Sequence, residues 1–171
     1  EILVLKKSID TTGDLRLRQF FRLALAGVLV PDLTNVTLGR LQLHFIDRPR
    51  TSIFVWDTFE THAKSMIADL EDVYTVIANR TAQVIRTDAT NPTARIPQNS
   101  ITAVVTSPPY PNRYSYVWNT RPHLYLFDFI TKAREASNID LQTIGGTWGT
   151  ATSILMKGCV EAEHPVLQDI I

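Results

Sequence analysis

The sequence predicts an α/β protein: an open sheet with flanking helices, forming one domain over residues 1–171. Three observations carry this expectation. Residues 14–30 and 56–80 place apolar side chains at three- and four-residue steps, the period of helices that bury one face. The run Ile101-Thr102-Ala103-Val104-Val105 is β-branched and apolar, as expected of a strand buried in a parallel sheet. A second short apolar stretch, 82–85, precedes it, so two strands follow a long helix, and open α/β sheets bind ligands at strand carboxyl ends.

Each element follows in order. Gly13-Asp14 can cap a helix whose face is Leu17, Phe20, Phe21, Leu25, Val28 and Leu29, ended by Pro31-Asp32. Leu41, Leu43 and Phe45 then alternate with Gln42 and His44, the period of a short strand or extended arm. Arg40, Arg48 and Arg50 cluster around it; such residues can touch phosphate but more often form a solvated loop. In 56–80, Trp56, Phe59, Ala63, Met66, Ile67, Leu70, Val73, Tyr74 and Ile77 share one helical face. The other face carries Asp57, Glu60, Asp69, Glu71 and Asp72 against Lys64 and Arg80, so it turns away from DNA. Residues 14–80 are thus mainly helical, and 81–135 hold a strand, a loop and a helix. That last helix covers 116–133, with Pro122 near its beginning.

Composition sets limits on function. The chain has 171 residues, 44% of them hydrophobic, which allows one sizeable core and argues against disorder. No run approaches the roughly 18 apolar residues of a membrane span, so no membrane partner is expected. Seventeen Lys and Arg balance seventeen Asp and Glu, so any contact with nucleic acid must be local. Cys159 is the single cysteine, which excludes an internal disulfide and fits a reducing, cytoplasmic compartment. His44, His62, His123 and His164 fall in no metal-ligand spacing, and no metal is expected.

The residues that carry chemistry are Thr106-Ser107-Pro108-Pro109-Tyr110, directly after the predicted strand 101–105. A strand ending in this peptide resembles the catalytic motif of the DNA amino-methyltransferases, bacterial modification methylases of the N4-cytosine and N6-adenine type. Only residues 106–110 are specific to the resemblance, although its broad order of pieces extends over 14–130. It implies a Rossmann-like methyltransferase sheet, S-adenosylmethionine as cofactor and DNA as substrate. Ser before Pro-Pro inclines the expectation toward cytosine N4 over adenine N6.

Exocyclic amines are weak nucleophiles because the lone pair is delocalised into the ring. The resemblance makes Ser107, Pro108, Pro109 and Tyr110 the catalytic set. The Ser107 hydroxyl and the Pro108 carbonyl would accept the amine's two hydrogens and favour a tetrahedral nitrogen. Consecutive prolines fix φ and offer no competing N–H, and Tyr110 would stack on a base flipped from the helix. The bland alternative is a rigid turn that only closes a strand. The ring-carbon cytosine methyltransferases are disfavoured, because they use a Pro-Cys nucleophile and Cys159 follows Gly158.

Downstream, Asn112, Arg113 and Tyr114 mix amide, cation and aromatic groups in a manner suited to contacting DNA. Beyond Trp118, core-packed aromatics and solvated arginines are an equal alternative. Asp88, ending the earlier predicted strand, matches the family's acidic position near the cofactor adenosine, and serves equally well as a loop cap. One family feature has no counterpart: the aromatic and Gly-x-Gly cofactor loop. Gly145-Gly146-Thr147-Trp148-Gly149 reads as a structural turn. With the start at Glu1 and an amphipathic pattern cut at Ile171, this predicts part of a methyltransferase. Its partners would be DNA and either the remainder of the methyltransferase chain or a second subunit. The competing expectation is a non-catalytic nucleic-acid binding or scaffolding module that retains the methyltransferase fold without its cofactor site.

Overall fold

Ile2, Leu5 and Ile9 recur at the spacing of one helical face, and in a computed structural model they line α1 (Ile2–Asp10), with Leu5 and Ile9 buried. The structure describes residues 1–38, 43–87, 95–107 and 115–143. A turn at residues 11–14 leads into α2 (Leu15–Leu29). The Asp14 carboxylate caps α2 by accepting from the backbone N–H groups of Arg16 at 2.7 Å and Leu17 at 3.1 Å. A cap of this kind satisfies amides that the first helical turn leaves without partners. The expected helix over 14–30 therefore forms, with Ala24, Leu25, Val28 and Leu29 buried.

After α2 the chain forms a hairpin, β1 (Val36–Leu38) antiparallel to β2 (Leu43–Phe45), in the register Val36 with Phe45 and Thr37 with His44. Of the extended run expected over 41–45, residues 43–45 form β2 while Leu41 and Gln42 lie outside the described residues, and Phe45 is 90% exposed and covers no core. A 3-10 turn (Arg50–Ser52) precedes α3 (Val55–Ile77), the long helix expected over 56–80. α4 (Tyr116–Leu126) and α5 (Ala133–Gln142) complete the described elements. The helix expected over 116–133 thus ends at Leu126, residues 127–132 are not helical, and α5 begins only at Ala133. α4 stops at Phe127, whose N–H bonds to the His123 carbonyl, and Asp128 then takes a left-handed φ of 60°. Pro122 lies inside α4 rather than at its beginning.

The chain divides into two compact units, Glu1–Ala63 with Pro109–Ile171, and Lys64–Pro108. α3 contributes residues to both. In the first unit Leu5, Ile9, Leu25, Val28, Leu33 and Val55 form the main core, with Phe21, Phe59 and Leu126 packed against it. Val117, Ile130 and Ala136 form a smaller cluster beneath α4 and α5. Gly27 allows α3 to approach α2 closely, since a Cβ there would sit 2.5 Å from Nε2 of His62. In the second unit none of the described residues is buried, and only Met66 and Ile85 are half-buried.

The expected open Rossmann-like α/β sheet is overturned. The described residues are mostly helical, and their only sheet is the two-stranded antiparallel hairpin. Residues 82–85 and 101–105 form no strand, with Val84, Val104 and Val105 at 94%, 79% and 99% exposure. The β-branched composition at 101–105 suits a strand, but a buried strand needs neighbours on both edges to satisfy its amides and carbonyls. Among the described residues none pairs with it. No helix among the described residues is long and apolar enough to cross a membrane.

Candidate functional site

The peptide at the centre of the sequence analysis is described only at its start. Thr106 and Ser107 are exposed and belong to no regular element. Ser107 is thus an exposed residue, although no strand end among the described residues presents it. Pro108, Pro109, Tyr110, Asn112, Arg113, Tyr114 and Asp88 lie outside the described residues, as do the glycine cluster 145–149 and Cys159.

The description resumes at Ser115, on a well-built anchor. Ser115 is the N-cap of α4: its Oγ accepts from the Trp118 N–H at 3.2 Å and donates to Oδ1 of Asp140 at 2.6 Å. Both residues are buried, Asp140 to 3% exposure. The bond ties the opening of α4 to α5, five positions after Tyr110 in the sequence. Oδ2 of Asp140 is buried without a hydrogen-bond partner, a costly arrangement for a carboxylate. Sequence reasoning does not single out Asp140. Ser115 before an apolar helix start is a readable N-cap signal, whereas its partner comes from a helix 25 residues away.

On the outer side of α4, Cζ of Arg121 lies 4.3 Å from the Trp118 ring centroid and 5.8 Å from that of Tyr125. Trp118 is 58% exposed. Val117, Trp118, Arg121, Ala136, Ser137 and Asp140 line a notch of about 50 Å³. The core-packing alternative for the aromatics beyond Trp118 holds for Phe127, which packs against the main core, whereas Tyr125 and Phe129 are 38% and 70% exposed. His123 faces inward, its Nε2 3.0 Å from the Ala26 carbonyl of α2.

Charged groups brace the same unit. The Lys6 ammonium bonds Asp128 and, at 2.9 Å, Asp10, whose other oxygen is 3.0 Å from Nε of Arg22. The bond to Asp128, then that to Asp10, raises the Lys6 pKa above the ordinary lysine value. The Lys6 bond, opposed by partial burial and aided by Arg22, holds Asp10 below the usual carboxylate range. Glu135 reaches back to the backbone N–H groups of Thr131 at 2.6 Å and Lys132 at 3.0 Å, and these bonds lower its pKa. Arg48, one of the basic residues considered for phosphate, spends its guanidinium on the carbonyls of Pro31 and Asp32 at 2.8 and 2.6 Å.

No protein-family model, no curated protein and no solved structure matches this chain. The glycine cofactor loop that S-adenosylmethionine would require is not among the described residues. They offer no parallel strand ending in a glycine loop, and the described glycines serve otherwise: Gly13 lies in the turn before α2 and Gly27 faces His62. Among the described residues no group of His, Cys, Asp or Glu is placed to hold a metal.

Proposed function

We propose that this chain supplies the amine-binding loop of a DNA amino-methyltransferase, acting on cytosine N4 in preference to adenine N6. The observation that carries the reading is the peptide Thr106-Ser107-Pro108-Pro109-Tyr110. The exposure of Ser107 is in keeping with it, because a hydroxyl that receives a base must be open to solvent before the base arrives. In this reading Ser107 and the Pro108 carbonyl accept the amine's hydrogens, Pro109 stiffens the turn, and Tyr110 stacks on the flipped base. Asn112, Arg113 and Tyr114 contact the DNA backbone and bases, and Asp88 contacts the cofactor.

S-adenosylmethionine is the methyl donor that the resemblance implies. Asp88 is this chain's contact to it, and the glycine cofactor loop is assigned to other residues of the protein or to a second subunit. The lone cysteine suits a cytoplasmic setting. The test is transfer of labelled methyl to DNA by the complete reading frame, compared with its Tyr110→Ala variant. Transfer that collapses in the variant supports the reading, and no transfer, or transfer indifferent to Tyr110, refutes it.

A second reading is a non-catalytic nucleic-acid binding or scaffolding module, although the methyltransferase fold it was expected to retain is not seen among the described residues, which are mostly helical. It expects salt-dependent DNA affinity without affinity for S-adenosylmethionine. Calorimetric binding of the cofactor by the complete reading frame would eliminate it.

A further inference from the structure

We propose that the outer face of α4, built from Trp118, Arg121 and Tyr125, is a stacking platform for unpaired bases of single-stranded DNA. Trp118 and Tyr125 are seven positions apart, about 10 Å along a helix axis, with the guanidinium of Arg121 between them, within reach of both rings. Bases stack on aromatic faces and on guanidinium planes alike, with little regard to sequence. A tryptophan 58% exposed is a large apolar surface left uncovered within a folded unit, and the notch beside it gives a ring edge room to enter.

Charge selects the occupant. Between residues 116 and 142 the acids are Asp128, Glu135 and Asp140. Asp128 is paired with Lys6, Glu135 is bonded to the Thr131 and Lys132 amides, and Asp140 is buried against Ser115. The exposed cations Lys132 and Arg134, with Arg121, complement a phosphate backbone. A single strand presents both free ring faces and phosphates, whereas a duplex keeps its bases stacked. The inference rests on the methyltransferase reading only for the choice of DNA as the polymer.

The test is the binding of a short labelled oligonucleotide, single-stranded or as the duplex of the same sequence, to the full chain by fluorescence anisotropy. The single strand should bind more tightly. Trp118→Ala should weaken that binding about tenfold, the scale of losing one base–aromatic stack, while Trp118→Phe retains most of it. Arg121→Ala should weaken binding and reduce its salt dependence. Trp56→Ala serves as control, because Trp56 is also exposed, at 47%, but opens the acidic helix α3. Circular dichroism confirms that each variant remains helical.

Equal affinity for duplex, an unaffected Trp118→Ala variant, or an equal loss in Trp56→Ala would overturn the platform. The two proposals fail separately. Trp118-dependent binding without methyl transfer keeps the platform and removes the catalytic reading, and methyl transfer with Trp118-independent binding does the reverse.

Discussion

The two units use similar residues to different effect. In the first, Leu5, Ile9, Leu25 and Val28 lie on faces that other helices cover, and all are buried. In the second, Ile67, Leu70, Val73 and Ile77 share a helical face, and Val104 and Val105 stand in a β-branched run, yet all are exposed. Apolar periodicity states what a segment can bury. Whether it is buried depends on a partner surface, and among the described residues only the first unit provides one.

The largest effect that sharpens this contrast is in the core. Leu25→Ala, at a residue with 0% exposure, should destabilise the first unit by about 2–5 kcal/mol in urea unfolding, through lost burial and a cavity. Val105→Ala, at 99% exposure, should change stability by no more than about 0.5 kcal/mol. A comparable loss at both positions would erase the distinction between the units.

The Ser115–Asp140 anchor comes next. Asp140→Ala leaves the buried Ser115 hydroxyl without its acceptor and should cost about 1–3 kcal/mol in the same measurement. Amide hydrogen exchange should follow the same division: slow in α2 at Leu25 and Val28, and fast at 101–107, which lie in no helix or strand. Protection at 101–107 would show that this run has found a partner.

The smallest effect is with pH. Asp10, Asp14 and Glu135 all have lowered pKa values: Asp10 through the Lys6 bond, Asp14 through the Leu17 and Arg16 amides, Glu135 through those of Thr131 and Lys132. A carboxylate more acidic in the folded state stabilises the fold above its unfolded pKa and loses that contribution as pH falls through the folded value. The Tm should therefore hold at neutral pH and decline below about pH 4, less steeply in Asp10→Asn. Lys6 is shifted upward, so its contribution is lost only on the alkaline side of the ordinary lysine value.

Much of the local structure was legible in the sequence, and the sheet was not. The Asp14 cap and the apolar steps of 14–30 are short-range signals, and they specify α2 almost to the residue. The periodicity of 56–80 likewise yields α3, but the burial of its face is a tertiary matter that no local pattern decides. The β-branched 101–105 run was misleading for that reason. α1 went unread although Ile2, Leu5 and Ile9 carry the helical spacing, and α5 has mostly polar residues with only Ala136 and Asp140 buried. For the candidate site, Ser107 was legible as residue type and its exposure is new. Asp140 was invisible, because its meaning depends on contact with Ser115.

In the proposed reading, residues 107–110 present an exocyclic amine of DNA for methylation. The most direct measurement compares labelled-methyl incorporation into DNA by the complete reading frame and by its Ser107→Ala and Tyr110→Ala variants, with base analysis of the product. N4-methylcytosine is expected from the parent, with a severe loss in both variants. Absence of methyl incorporation, or incorporation that survives both substitutions, would contradict it.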